Sequence, residues 1–106
     1  ITVRPIATTP PSPLPAPTLA APAASARVTA GQSVAFDWSD VTNAASYTLQ
    51  VSSSNAFTTT VLERTVTATQ GAAAFTATGD RWWRVRASRA DGSAGAWSAV
   101  RTFRVK

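Results

Sequence analysis

A chain of 106 residues with a formal charge of +5, 44% apolar and only 14% charged, is long enough for one packed core and no more. It contains no Cys and no His, which excludes disulfides, thiolate or imidazole metal sites, thiol nucleophiles and the commonest general base. No apolar run approaches the ~20 residues of a membrane helix and no basic start leads into an apolar core, so the chain reads as a piece of a longer protein.

All seven prolines fall at or before Pro22, and Pro10, Pro11, Pro13, Pro15 and Pro17 nearly alternate with small residues. Proline fixes φ and removes the amide donor, which predicts an extended, semi-rigid tether from Pro5 to Pro17, about 40 Å long at ~3.1 Å per residue. The Pro10 to Pro13 spacing also fits an aromatic-lined groove, a reading that any proline-rich stretch permits. Residues 1–15 are assigned to this linker and residues 16–106 to the folded module. Ile1-Thr2-Val3-Arg4 and Phe103-Arg104-Val105-Lys106 share one pattern, so residues 1–4 are read as the last strand residues of a preceding module in a tandem array.

From Leu19 onward period-2 alternation dominates and a helical reading has little support. After a short first strand near Leu19, Val34, Phe36 and Trp38 alternate with Ala35 and Asp37, so the first set is buried. Asp40 and Asn43 mark a turn, and Tyr47, Leu49 and Val51 then alternate with Thr48, Gln50 and Ser52. Ser52-Ser53-Ser54-Asn55 is a loop by composition. Phe57 with Val61–Val66 forms a weaker strand, and Ala73, Phe75 and Ala77 another. Next comes a long strand with Arg81, Trp83, Val85 and Ala87 on one face and Trp82, Arg84, Arg86 and Ser88 on the other. Asp91-Gly92 is a turn signal, and in the last strand Phe103 and Val105 face in while Thr102 and Arg104 face out. About seven short strands separated by turns predict an all-β antiparallel sandwich with Trp38, Tyr47, Leu49, Val51, Trp83, Val85 and Phe103 buried.

Charge is placed unevenly: residues after position 80 carry +6 and those before sum to −1. Nine of the ten basic residues are Arg, whose charge is fixed at any working pH. Such a segment suits either a polyanion surface or ordinary solubility. The acids are Asp37, Asp40, Glu63, Asp80 and Asp91. Paired carboxyl catalysis needs a cleft that so small a sandwich does not offer. Asp37 and Asp40 are close enough in sequence to share a calcium ion, which requires six or more oxygen ligands, and they are read as solvated surface acids. No catalytic, metal or cofactor residue is therefore assigned.

Val34-Ala-Phe36-Asp-Trp38, Ala45-Ser-Tyr47-Thr-Leu49-Gln-Val51, Trp83-Arg-Val85-Arg-Ala87 and Trp97-Ser98, in this order, resemble a fibronectin type III module of the bacterial extracellular variety over residues 16–106. The resemblance implies an immunoglobulin-like sandwich of seven strands, three in one sheet and four in the other. At Arg81 the chain departs from the family's tyrosine, whose hydroxyl ties the preceding loop to the backbone; its stem is expected to cover apolar surface with the guanidinium in water. Trp97-Ser98 resembles half of the tryptophan-serine motif of cytokine-receptor modules, which implies that Arg84 and Arg86 stack on Trp97. Arg89-Ala90-Asp91-Gly92 stands where some animal members carry Arg-Gly-Asp, but with Ala for Gly it reads as a hairpin turn.

Resemblance and tether together imply a non-catalytic spacer or interaction module of a secreted or cell-surface multidomain bacterial protein. Its partners would be the neighbouring domains of the parent chain, with polysaccharide or another protein as possible ligands. The alternative is a carbohydrate- or polyanion-binding module whose ligand face comprises Trp82, Arg84, Arg86 and Arg104. Against that face stands the plainer reading that Trp82 packs under a loop or an arginine stem. Nucleic acid is not expected, because a stacking platform needs several exposed aromatics. A monomer without a membrane span is expected.

Overall fold

The computed structural model describes residues 14–106. The tandem-module reading of residues 1–4 and the tether up to Pro13 lie outside the described residues. Eight strands follow one another: β1 (Leu19–Ala21), β2 (Ala26–Val28), β3 (Ser33–Trp38), β4 (Ser46–Ser52), β5 (Thr60–Val66), β6 (Gln70–Ala74), β7 (Gly79–Ser88) and β8 (Arg101–Val105). They form a three-stranded sheet ordered β1-β3-β6 and a five-stranded sheet ordered β2-β8-β7-β4-β5.

Alternation dictates the inner faces. β3 reads exposed, buried, exposed, buried along its length, and β7 buries Arg81, Trp83, Val85 and Ala87 on one side. All seven residues predicted to be core are buried. Phe36 sits at the centre with its ring edge-on to Trp83 at 5.0 Å and to Phe103 at 5.8 Å, while Trp38 meets Tyr47 at 5.9 Å. Tilted and edge-to-face pairs of this kind add to what area burial contributes.

The strand count differs from the sequence reading by one, and the reason lies at Pro22. Proline cannot donate to a ladder, and after Ala21 the chain leaves the three-stranded sheet and adds β2 to the opposite sheet. There β2 runs parallel to β8, with Ala26 opposite Phe103, Arg27 opposite Arg104 and Val28 opposite Val105. Ser25 N donates to Thr102 O and Arg101 Nη1 to Pro22 O across the crossing. The second sheet thus has five strands, one more than the resemblance implied.

Four further expectations are corrected. Leu14, assigned to the linker, is only 4% exposed and belongs to the core, so the packed module includes residues ahead of position 16. Phe57 is not in a strand but in the β4–β5 loop, with φ of 56°. β6 ends at Ala74, short of Ala77. Arg81 does not extend its guanidinium into open solvent: the residue is 7% exposed, and the guanidinium donates to Asp80 O at 2.8 Å and Ala77 O at 3.0 Å. Backbone carbonyls accept from both terminal nitrogens and so offset much of the cost of burying the charged head, although Nε is buried without a partner.

β6 is an edge strand of small, uncharged residues, a template for unwanted pairing. Arg64, on the facing edge strand β5, donates through Nη1 to Ala72 O at 2.6 Å, which occupies one edge carbonyl with a charged group.

Candidate functional site

The outer face of the five-stranded sheet gathers the residues with chemistry to offer. Along β7 it carries Asp80, Trp82, Arg84 and Arg86, and register places Gln50 beside Arg84, Ser52 and Thr102 on either side of Trp82, and Arg104 beside Asp80.

Two loops clamp Arg84. Its Cζ lies 4.0 Å from the Phe57 ring centroid and 4.2 Å from that of Trp97, and Nε donates to Gln50 Oε1 at 2.8 Å. Gln50 in turn donates to Glu63 Oε1 at 3.4 Å. Arg86 stacks on Trp97 as well, at 4.5 Å. Burial first, and then the neighbouring Arg86 charge, lower the pKa of Arg84 from its ordinary value.

Local bonds position each aromatic. Ser98 N donates to Val85 O at 2.8 Å, and Ser98 Oγ accepts from Val85 N at 3.0 Å, so the residue after Trp97 is laced to β7 and the indole lies over the arginines. Phe57 is aimed by the left-handed turn at its own Cα, a conformation that costs an aromatic residue on the order of 1–3 kcal/mol. Ser52 Oγ donates to Thr59 O and accepts from Ser54 N, which holds the loop that carries it.

Of the four predicted face residues, Arg84 and Arg86 share Trp97. Arg104 stands four residues along β7, about 13 Å away at ~3.3 Å per residue. There it pairs with Asp80 at 3.4 Å, both side chains more than half exposed. Trp82 is half-buried between the two groups. Phe57 and Arg27 were not found from sequence. Phe57 follows a serine-rich loop without periodicity, while Ala26-Arg27-Val28 repeats the alternation of Phe103-Arg104-Val105 but is too short to stand out.

Most acids are held locally. Asp40 is exposed, as a surface acid should be, and it also accepts from the Tyr47 hydroxyl at 2.6 Å, while that hydroxyl accepts from Val41 N at 2.9 Å. Asp91 accepts from Ser93 N and Ser93 Oγ, which together hold its carboxyl below the usual range. Asp91 and Gly92, with φ of 92°, close the turn before β8. Among the described residues no three His, Cys, Asp or Glu side chains cluster, and no helix is long and apolar enough to cross a membrane.

Two sheets packed with this order of strands define an immunoglobulin-like β-sandwich. More closely, the chain has the fibronectin type III fold. It is similar to an Fn3-like protein from Clostridium thermocellum, with TM-score 0.65 and 23% identity over 90% of this chain and 96% of that one. Fibronectin(III)-like modules of Clostridium thermocellum CbhA align with TM-score 0.62 and 19% identity over 85% of this chain and 94% of theirs. Streptomyces avermitilis alpha-L-rhamnosidase, solved with L-rhamnose, aligns with TM-score 0.53 and 18% identity over 88% of this chain but only 10% of its own. No protein-family model and no curated protein matches the sequence.

Proposed function

We propose that the chain is a non-catalytic spacer or interaction module of a secreted or cell-surface multidomain bacterial protein. The observation that carries this reading is that the reactive-looking side chains of the outer face serve one another. Arg84 and Arg86 are stacked on Trp97, Glu63 and Gln50 extend that row, and Asp80 faces Arg104. A chain without His or Cys has few other groups with which to run chemistry at neutral pH. Support comes also from the rhamnosidase, in which the matching sandwich is a tenth of the chain, and from the CbhA modules.

The second reading, a carbohydrate- or polyanion-binding face, rests on Trp82, which points outward between Ser52 and Thr102. Retention of the 106-residue protein on a panel of insoluble neutral polysaccharides separates the two. A spacer passes through unretained. Retention that Trp82→Ala abolishes would transfer the assignment to the second reading.

A further inference from the structure

A shallow cavity of about 270 Å³ opens on the outer face where β2, β8 and β7 meet, lined by Ser25, Arg27, Asp80, Thr102, Phe103 and Arg104. Parallel pairing of β2 with β8 sets Arg27 directly beside Arg104, with backbones about 4.8 Å apart. Both side chains face outward, because Ala26 and Val28 turn inward with Phe103 and Val105. Like charges placed side by side on a sheet repel. Among the described residues only Asp80 answers them, at 3.4 Å from Arg104, and the Arg27 side chain has no ion-pair or hydrogen-bond partner there. The hydroxyls of Ser25 and Thr102 are likewise unbonded among the described residues. Two arginines and two hydroxyl-bearing residues therefore line one open volume whose charged side chains, Arg27, Arg104 and Asp80, sum to a net positive charge.

We propose that this cavity is a binding site for a single oxyanion, a sulfate or carboxylate, held between Arg27 and Arg104. Guanidinium forks match the paired oxygens of such groups, and the hydroxyls add donors at the rim. Both a substituent of an acidic polysaccharide and the free inorganic ion carry this chemistry. A single pocket with one neighbouring indole does not provide the run of stacking residues that a nucleic acid strand uses. The site goes beyond the spacer reading and involves neither Arg84 nor Arg86.

The test is a titration of backbone amide chemical shifts with sodium sulfate against sodium chloride at matched ionic strength. A parallel arm uses a sulfated oligosaccharide and its desulfated analogue. Saturable shifts confined to residues 25–28, 80 and 102–104 are expected. Arg27→Gln should weaken sulfate binding about tenfold, the loss of a charged hydrogen-bonding partner. Asp80→Asn should strengthen it severalfold, because the one opposing charge is removed and Arg104 is released. Arg27→Gln should leave the protein no less stable in sulfate-free buffer, since it relieves the repulsion with Arg104. Oligosaccharide binding at least tenfold tighter than sulfate assigns the anion to a glycan, and equal binding per sulfate assigns it to the free ion. Shifts that follow ionic strength alone, or that both variants leave unchanged, would overturn the site. Because neutral polysaccharides do not present an oxyanion, failure here is distinguishable from retention through Trp82.

Discussion

Arg81 donates from Nη2 to the carbonyl of Ala77, four residues upstream, at 3.0 Å. In fibronectin-like and antibody sandwiches a tyrosine hydroxyl makes the corresponding bond back to the loop before this strand. Here a guanidinium does it, and because the group is forked it takes the Asp80 carbonyl as well. The loop is closed by different chemistry at the same place in the fold.

That substitution sets the first prediction. Arg81→Ala should cost about 2–4 kcal/mol, the sum of lost packing of a buried stem and two carbonyls left without donors. Arg81→Tyr should cost less, since one hydroxyl can serve the Ala77 carbonyl. Urea denaturation with an unchanged slope would measure both. If Arg81→Ala and Arg81→Tyr were equally destabilised, the tie to Ala77 would not matter.

The clamp on Arg84 is a coupled unit. Trp97→Ala and Arg84→Ala should show a coupling of about 0.5–2 kcal/mol in a double-mutant cycle, as stacked cations partly removed from water do. Ser98→Ala should cost about 1–3 kcal/mol by leaving the Val85 amide without an acceptor. Strictly additive Trp97 and Arg84 effects would show that the stack carries no energy.

Gly95 is required by a neighbour rather than by its own backbone angles. A Cβ on Gly95 would stand 2.5 Å from Leu14 O and 2.8 Å from Leu14 Cβ. Gly95→Ala should therefore cost about 1–3 kcal/mol by overpacking. In a protein that begins at Pro15 the same change should cost under about 0.5 kcal/mol, the ordinary effect of a surface substitution. Equal costs in the two backgrounds would mean that Leu14 is not docked against Gly95 in solution.

Tyr47 is the chain's one tyrosine, so its phenolate absorbance reports a single group. Burial first, and then the hydrogen bond it donates to Asp40, raise its pKa above 10.0. A raised pKa means that the folded state holds the proton where the unfolded state has lost it. Stability is therefore complete below about pH 10 and falls as pH rises from the unfolded value through the folded one. Tyr47→Phe should lack this alkaline loss, and phenolate should form in the native protein only above the pH at which it forms in urea. Coincident native and unfolded titrations would refute the assignment.

Much of the fold was legible because period-2 alternation with large apolar residues leaves one way to bury them. Val34, Phe36 and Trp38 on β3, and Trp83, Val85 and Ala87 on β7, are buried for that reason. The stack of Arg84 and Arg86 on Trp97 was also legible, through the resemblance carried by Trp97-Ser98. What alternation cannot reveal is which sheet a short strand joins or where a loop residue lands. Ala26-Arg27-Val28 has three residues, too few for a pattern, and only its pairing with β8 brings Arg27 to Arg104. Phe57 reaches Arg84 through a left-handed backbone turn in a loop without periodicity. Leu14 follows a proline and reads as linker, yet the groove beside Gly95 takes its side chain out of water. Composition and spacing determined the inner faces, since hydrophobic burial acts residue by residue along a strand. The outer face was decided by contacts between residues far apart in the chain, which exist only once both sheets have formed.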